Sequence, residues 1–140
     1  MGGERAERFE KTRAAHRDET GEDYVEAIAE LIEERGEARN RDLARMMGVS
    51  HVTVSRIMRR LHDQGLVVFE THRPITLTPE GRRVAETARR RHEVVVGFLR
   101  AIGVGARQAE IDAEGIEHHV SDQTIRAFRR VIERLGGGGA

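Results

Sequence analysis

Residues 114–123 read EGIEHHVSDQ. On a helix, Glu114, Glu117 and His118 stand at i, i+3 and i+4, so two carboxylates and an imidazole share one face. Such a face is either a solvated helix surface or half of a metal site. Asp23 and Glu26 make a second i, i+3 acidic pair, and His92 lies between the two groups in the chain. Hard divalent ions such as Mn(II) prefer carboxylate and carbonyl oxygens, and imidazole adds affinity for transition metals over Ca(II) or Mg(II). An oxygen-rich set with one or two imidazoles therefore suits Mn(II) or Fe(II), and Zn(II) would bind as well. The chain has no cysteine, which removes thiolate ligation and disulfides together. Spacing alone leaves the solvated reading open, because acidic pairs abound in a chain that is 34% charged. His92 by itself also fits a polar surface or core position, and His119 points about 100° away from His118 on a helix.

The elements that must position these residues follow from periodicity. Tyr24, Ile28, Leu31 and Ile32 form an apolar stripe running to Gly36, which predicts a first helix over 16–35. Short helices are expected over 39–47 and 51–64, stopped by Gly48 and Gly65. The period then changes: LVVFETHRPITLTPE holds two β-type runs, Leu66–Glu70 and Ile75–Thr78, around a polar turn with Pro74. Thr78 as N-cap and Pro79 as first residue open a long helix that breaks near Gly103. Two more helices are expected over 106–119 and 121–135, the last capped by Ser121. The polar MGGERAER start and the GGGGA end read as flexible segments. The expected organisation is a flexible arm (1–15), a winged helix-turn-helix domain (16–78), an all-helical metal-binding and dimerisation domain (79–135) and a tail (136–140). The fold class is mainly α with a small β-hairpin wing.

A formal net charge of zero conceals a segregation. From Asp18 to Glu34 there are eight acidic residues and no Lys or Arg; from Arg39 to Arg60 six arginines face only Asp42. A local basic surface binds phosphates whatever the total charge, because salt screens charges beyond about 8–10 Å. In this basic stretch Ala44, Gly48, Val49, Val54, Ile57 and Leu61 carry helix-turn-helix spacing. The outward side of the second helix offers Ser50, His51, Val52, Thr53, Ser55, Arg56 and Arg59, as a recognition helix does toward bases and phosphates of double-stranded DNA. Arg39 before it, and His72 and Arg73 at the hairpin tip, would reach the backbone or minor groove. The competing reading is a helical hairpin with an ordinary charged face.

No apolar run approaches the roughly 18 residues of a membrane span, and the charged start lacks the core of a signal peptide. A cytoplasmic protein without membrane association is expected. No HExxH or nucleophile-elbow motif supports an enzyme.

The ordered motifs DYVEAI, GVSHVTVSRIMRRL, GLVVFETHRPITLTPEG, RHEVVVGFL and DAEGIEHHVSD resemble the diphtheria-toxin-repressor family of metal-dependent repressors, most closely its manganese-regulator branch. The resemblance covers about residues 16–135. It implies a homodimeric repressor controlling manganese homeostasis genes, with Mn(II) as corepressor, two ions per chain, and Fe(II), Zn(II) or Co(II) as substitutes. It also implies the ligands: Glu114 and Glu117 shared, Glu26 and His92 completing one ion, Asp23 and His118 the other. The iron-responsive branch carries cysteine at the Glu114 position and methionine at the Asp23 position, so both departures favour the harder ion. Val52 stands where relatives often have proline, and the third, SH3-like domain of many iron-type members is not expected. Two other readings are an iron-responsive repressor of the same family and a winged-helix regulator with an organic effector.

Overall fold

A computed structural model describes residues 2–136, apart from the side chains of residues 2, 7 and 9–19. The order is α1 (Gly2–Arg35), α2 (Asn40–Met47), α3 (His51–Asp63), β1 (Val67–Val68), β2 (Thr76–Leu77), α4 (Pro79–Ala101), α5 (Ala106–Ile116) and α6 (Asp122–Arg134). It is a mainly helical chain with one two-stranded antiparallel sheet. Two compact units form, residues 19–87 and residues 1–18 with 88–140. The expected tail falls mostly on residues 137–140, outside the described residues.

The unit of residues 19–87 is built around Val25, Ile28, Leu43, Val54, Met58, Leu61, Val67 and Ile75, all essentially inaccessible. The expected turn between α2 and α3 forms as the spacing requires. Gly48 takes φ 68°, a left-handed conformation open to a residue without Cβ, and its N–H bonds Ala44 O. Ser50 then caps α3, its hydroxyl accepting from Thr53 N at 3.1 Å.

Three boundaries differ from expectation. α1 begins at Gly2, not near residue 16, so the expected arm is helical in its backbone. The physical reason is composition: ERAERFEKTRAAHRDE is dominated by Glu, Arg, Lys and Ala, strong helix formers with no proline to stop them. The hairpin is shorter than expected, pairing only Val67 with Leu77 and Val68 with Thr76. Phe69 N turns instead to His62 Nδ1 at 3.3 Å, and His72 takes φ 63° in the tip, so the ladder cannot continue. Ile75 N also reaches Ala38 O at 2.7 Å, anchoring the wing's return to the segment before α2. Third, α5 ends at Ile116 rather than near 119.

Thr78 caps α4 as expected, accepting from Gly81 N at 3.0 Å and donating to Gly65 O at 2.6 Å. The first turns of α4 belong to the winged-helix unit, where Ala85 is buried and Val84 packs on the core. In the other unit α4, α5 and α6 enclose Val95, Leu99, Ala109, Ala113 and Ile125, with Phe98 and Phe128 stacked at 4.0 Å. Ala109 and Ala113 are small enough to let α5 lie close to α4.

Among the described glycines, Gly81 makes the tightest backbone approach. A Cβ there would sit 2.0 Å from Leu66 O, whereas one at Gly97 would meet only the mobile end of Ile132 at 3.2 Å. Gly81→Ala should therefore destabilise the winged-helix unit by about 3 kcal/mol, at the upper end of overpacking costs, and Gly97→Ala by about 1 kcal/mol or less. Urea denaturation followed by circular dichroism distinguishes the two.

Candidate metal centre and nucleic-acid interface

His92 on α4 and Glu114 and Glu117 from α5 and its end converge within one unit, each offering a donor atom within 4.8 Å of the others. His92 Nδ1 lies 3.3 Å from Glu117 Oε2 and 3.5 Å from Glu114 Oε1. On the far side of the ring, Nε2 is 2.7 Å from Glu110 Oε2. An ionised carboxylate only accepts, so Nε2 carries the hydrogen and Nδ1 is left to face the two glutamates.

Glu117 is the unusual member. It is 1% exposed, and neither of its carboxylate oxygens has a hydrogen-bond partner; His92 Nδ1 also lacks one. Burying an ionised carboxylate costs several kcal/mol unless charge or hydrogen bonds compensate. The donors nearby are imidazoles: His92, and His118, whose Nε2 is 3.3 Å from Glu117 Oε1. Neither contact has hydrogen-bond alignment. Close, buried and unaligned O and N donors are what a divalent ion needs, and the set fits a hard or borderline ion.

Arg91 explains why α5 stops and Glu117 stays in place. Its guanidinium donates to Glu117 O at 2.8 and 3.2 Å, to Val120 O, and to Asp122 Oδ1 at 2.8 Å. Carbonyls left unsatisfied at the helix end are thus held by a neighbouring cation, and His118 lies in the turn they fix.

The contact with the Glu117 carboxylate is the largest influence on the His92 pKa and raises it; burial opposes, Glu110 and Glu114 add, and the result is about 9. A metal ion at Nδ1 would have to displace that proton.

Asp23 and Glu26 lie on α1 in the other unit, both half-buried. His119 is exposed, as expected. Two contributors were not anticipated from the sequence: Glu110, which meets His92 Nε2, and Arg91, which holds the Glu117 carbonyl. Glu110, Glu114 and Glu117 stand at i, i+4 and i+7, a helical face that spacing alone would have revealed.

On the winged-helix unit, His51, Arg56 and Arg59 are exposed and Val52 is 78% exposed at the start of α3. Ser50 and Ser55 are already engaged, the first as the cap and the second accepting from Asn40 Nδ2 at 2.9 Å. Thr53 Oγ1 accepts from Ser50 Oγ at 3.0 Å. Arg39 pairs with Glu37 at 2.8 Å and Arg73 with Glu70 at 3.5 Å. Between α2, α3 and the wing runs a cleft of about 400 Å³ whose lining includes Arg39, Arg41, Arg59, His51, His72 and Arg73. Arg41 and Asn40 had not been expected there. The cleft concentrates cations and donors where a phosphate backbone would be met.

Family models match both units in turn: the iron-dependent repressor N-terminal DNA-binding domain over residues 18–75, and its metal-binding and dimerisation domain over 78–136. The transcriptional regulator MntR of Escherichia coli O157:H7 is 45% identical over 133 residues, covering 95% of this chain and 86% of that one. The HTH-type regulator MntR of Geobacillus kaustophilus is 42% identical over 112 residues, 80% of this chain and 79% of the relative. A solved manganese-dependent transcriptional repressor in complex with manganese superposes with TM-score 0.69 at 35% identity over 84% of this chain. The manganese regulator SloR does so with TM-score 0.70 at 29% identity over 81%. The chain spans about half the length of these two solved proteins, 53% in each case.

In metal-stripped protein, the raised His92 pKa makes the protonated ring stabilising. The contribution is fully present below the unfolded value near 6.5 and is lost as pH rises through about 9. Thermal melts between pH 6 and 10 should show this alkaline loss, of order 2–3 kcal/mol, and a His92→Gln variant should lack it.

Proposed function

The chain belongs to the iron-dependent (diphtheria-toxin) repressor family, and on that premise we propose that it is the manganese-responsive kind, a homodimer that binds operator DNA when Mn(II) is held. It is a transcriptional regulator and not an enzyme. The observation that carries the metal reading is the buried Glu117 carboxylate, without hydrogen bonds and facing His92 Nδ1. The donors are oxygen and nitrogen only, which favours Mn(II) over ions that prefer sulfur.

The proposed ligands are those the resemblance implies: Glu114 and Glu117 shared, Glu26 with His92, and Asp23 with His118, for two ions per chain. Fe(II), Zn(II) and Co(II) would substitute, because affinity alone does not exclude them. When bound, the ions supply the positive charge that lets several carboxylates converge without repulsion. Ligation by Asp23 and Glu26 would commit α1, and with it the winged helix, to the same ions as the ligands of α4 and α5. That restricts how far apart the two recognition helices of a dimer stand. Two half-sites are engaged together only when that separation matches the helical repeat of DNA, roughly 34 Å or a multiple. Ordering the units thus raises the fraction of molecules competent to bind.

DNA contact is proposed for Arg39, His51, Val52, Thr53, Arg56, Arg59 and Arg73, with Ser50 and Ser55 shaping the helix that presents them. A second copy of the chain would cover apolar surface on the helical unit, where Ile102, Ile111 and Leu135 are 55–60% exposed.

Electron paramagnetic resonance of Mn(II) added to metal-stripped protein tests the centre, since free ion gives a signal that bound ion largely loses. About two ions per chain are expected; absence of saturable binding would remove the metal reading. Glu117→Ala should weaken Mn(II) binding and Mn(II)-dependent operator binding together. Arg56→Ala should leave Mn(II) binding intact and lower DNA affinity by about tenfold, the loss of one charge-assisted phosphate or base contact. Activation by Fe(II) at free concentrations where Mn(II) fails would instead favour the iron-responsive reading.

A further inference from the structure

The metal reading assigns no role to Glu110, and that carboxylate has a geometry of its own. It stands on the second turn of α5, four residues before Glu114, with its side chain 62% exposed and Oε2 2.7 Å from His92 Nε2. Its contact is on the opposite side of the ring from Glu114 and Glu117, which face Nδ1. Gln108 bonds Asp112 at 2.8 Å, which occupies the nearby acid on the same helix.

We propose that Glu110 is a positioning residue for the metal centre, fixing His92 in the tautomer and ring orientation that presents Nδ1 as the ligand atom. The inference rests on the metal-binding reading of the preceding subsection. The chemistry is specific. A neutral imidazole has one donor and one acceptor nitrogen, and the partner of one decides the availability of the other. An acceptor-only carboxylate on Nε2 keeps the hydrogen there, so the proton an incoming ion displaces is the one on Nδ1, the nitrogen that faces Glu114 and Glu117. The same hydrogen bond stops rotation of the ring about its bond to Cβ, which would carry Nδ1 out of reach of both glutamates. It also makes Nδ1 a more basic ligand by feeding charge through the ring. Because Glu110 is largely in solvent, it supports the ligand without being committed to the core, and its removal leaves the fold intact.

The roles of hydrogen-bond acceptor and of plain negative charge separate by substitution. In full-length metal-stripped protein, Glu110→Ala should weaken Mn(II) binding by about 10- to 100-fold, the usual effect of losing such a partner. Glu110→Gln, which keeps an acceptor oxygen and loses the charge, should recover most of that affinity. In a His92→Gln background, Glu110→Ala should have no further effect, because its influence passes through the ring. In Co(II)-loaded wild type, a hyperfine-shifted imidazole N–H of His92 should exchange slowly with deuterated solvent, and in Glu110→Ala quickly. Equal Mn(II) affinity of wild type and Glu110→Ala would overturn the proposal. So would a loss that persists when His92 is absent, since Glu110 would then act on the ion directly. Wild type that binds no Mn(II) overturns the underlying metal reading instead, and circular dichroism of each variant shows whether the fold is retained.

Discussion

A carboxylate removed from water and given no hydrogen-bond donor has to be answered by positive charge, and Glu117 imposes that demand on the helical unit. Its side chain is 1% exposed, and both oxygens lack partners. The surrounding structure responds to the demand in several ways. Arg91 holds the Glu117 peptide from the carbonyl side, which fixes the position of the backbone from which the buried side chain projects. Two imidazoles approach the carboxylate without aligning to it. Such a cluster leaves an electrostatic need at the end of α5 that positive charge would meet, from a proton on His92 or from a divalent ion.

The winged-helix unit has the opposite economy of groups, with its polar side chains mostly satisfied by their neighbours. Ser50 terminates α3, Ser55 receives Asn40, and Thr53 is drawn into the cap. These bonds fix the orientation of α3 and leave the groups beside them, Val52, His51, Arg56 and Arg59, projecting outward. Rigid presentation matters for reading DNA, because base-edge contacts depend on placement while phosphate contacts depend mainly on charge. The exposed Val52 supplies an apolar surface suited to a thymine methyl group rather than a hydrogen bond.

In both units helix ends matter to the proposed chemistry. Ser50 caps the start of α3, and Glu114, Glu117 and His118, three of the proposed ligands, lie where α5 gives way to a turn. Helix ends are where backbone groups lack intrahelical partners, so side chains placed there are held by more than their own rotamers.

By itself the sequence determined most of the helices, the Gly48 turn, the Thr78 and Ser121 caps, and the residue types from which a hard-metal site could be built. These are local: periodicity, capping and left-handed glycine are fixed by neighbours a few positions away. It also held the faces on which Glu114, Glu117 and His118 lie, though not that α5 would stop at Ile116. The tertiary structure decided what local rules cannot reach. Glu117 is buried, His92 turns Nδ1 toward it and Nε2 toward Glu110, and Arg91, twenty-six residues away in the chain, pins its carbonyl. Burial and charge partnership depend on which helices meet. The same acidic spacing that gives a solvated surface on one helix gives a buried cluster of carboxylates and imidazole when a histidine from another is packed against it.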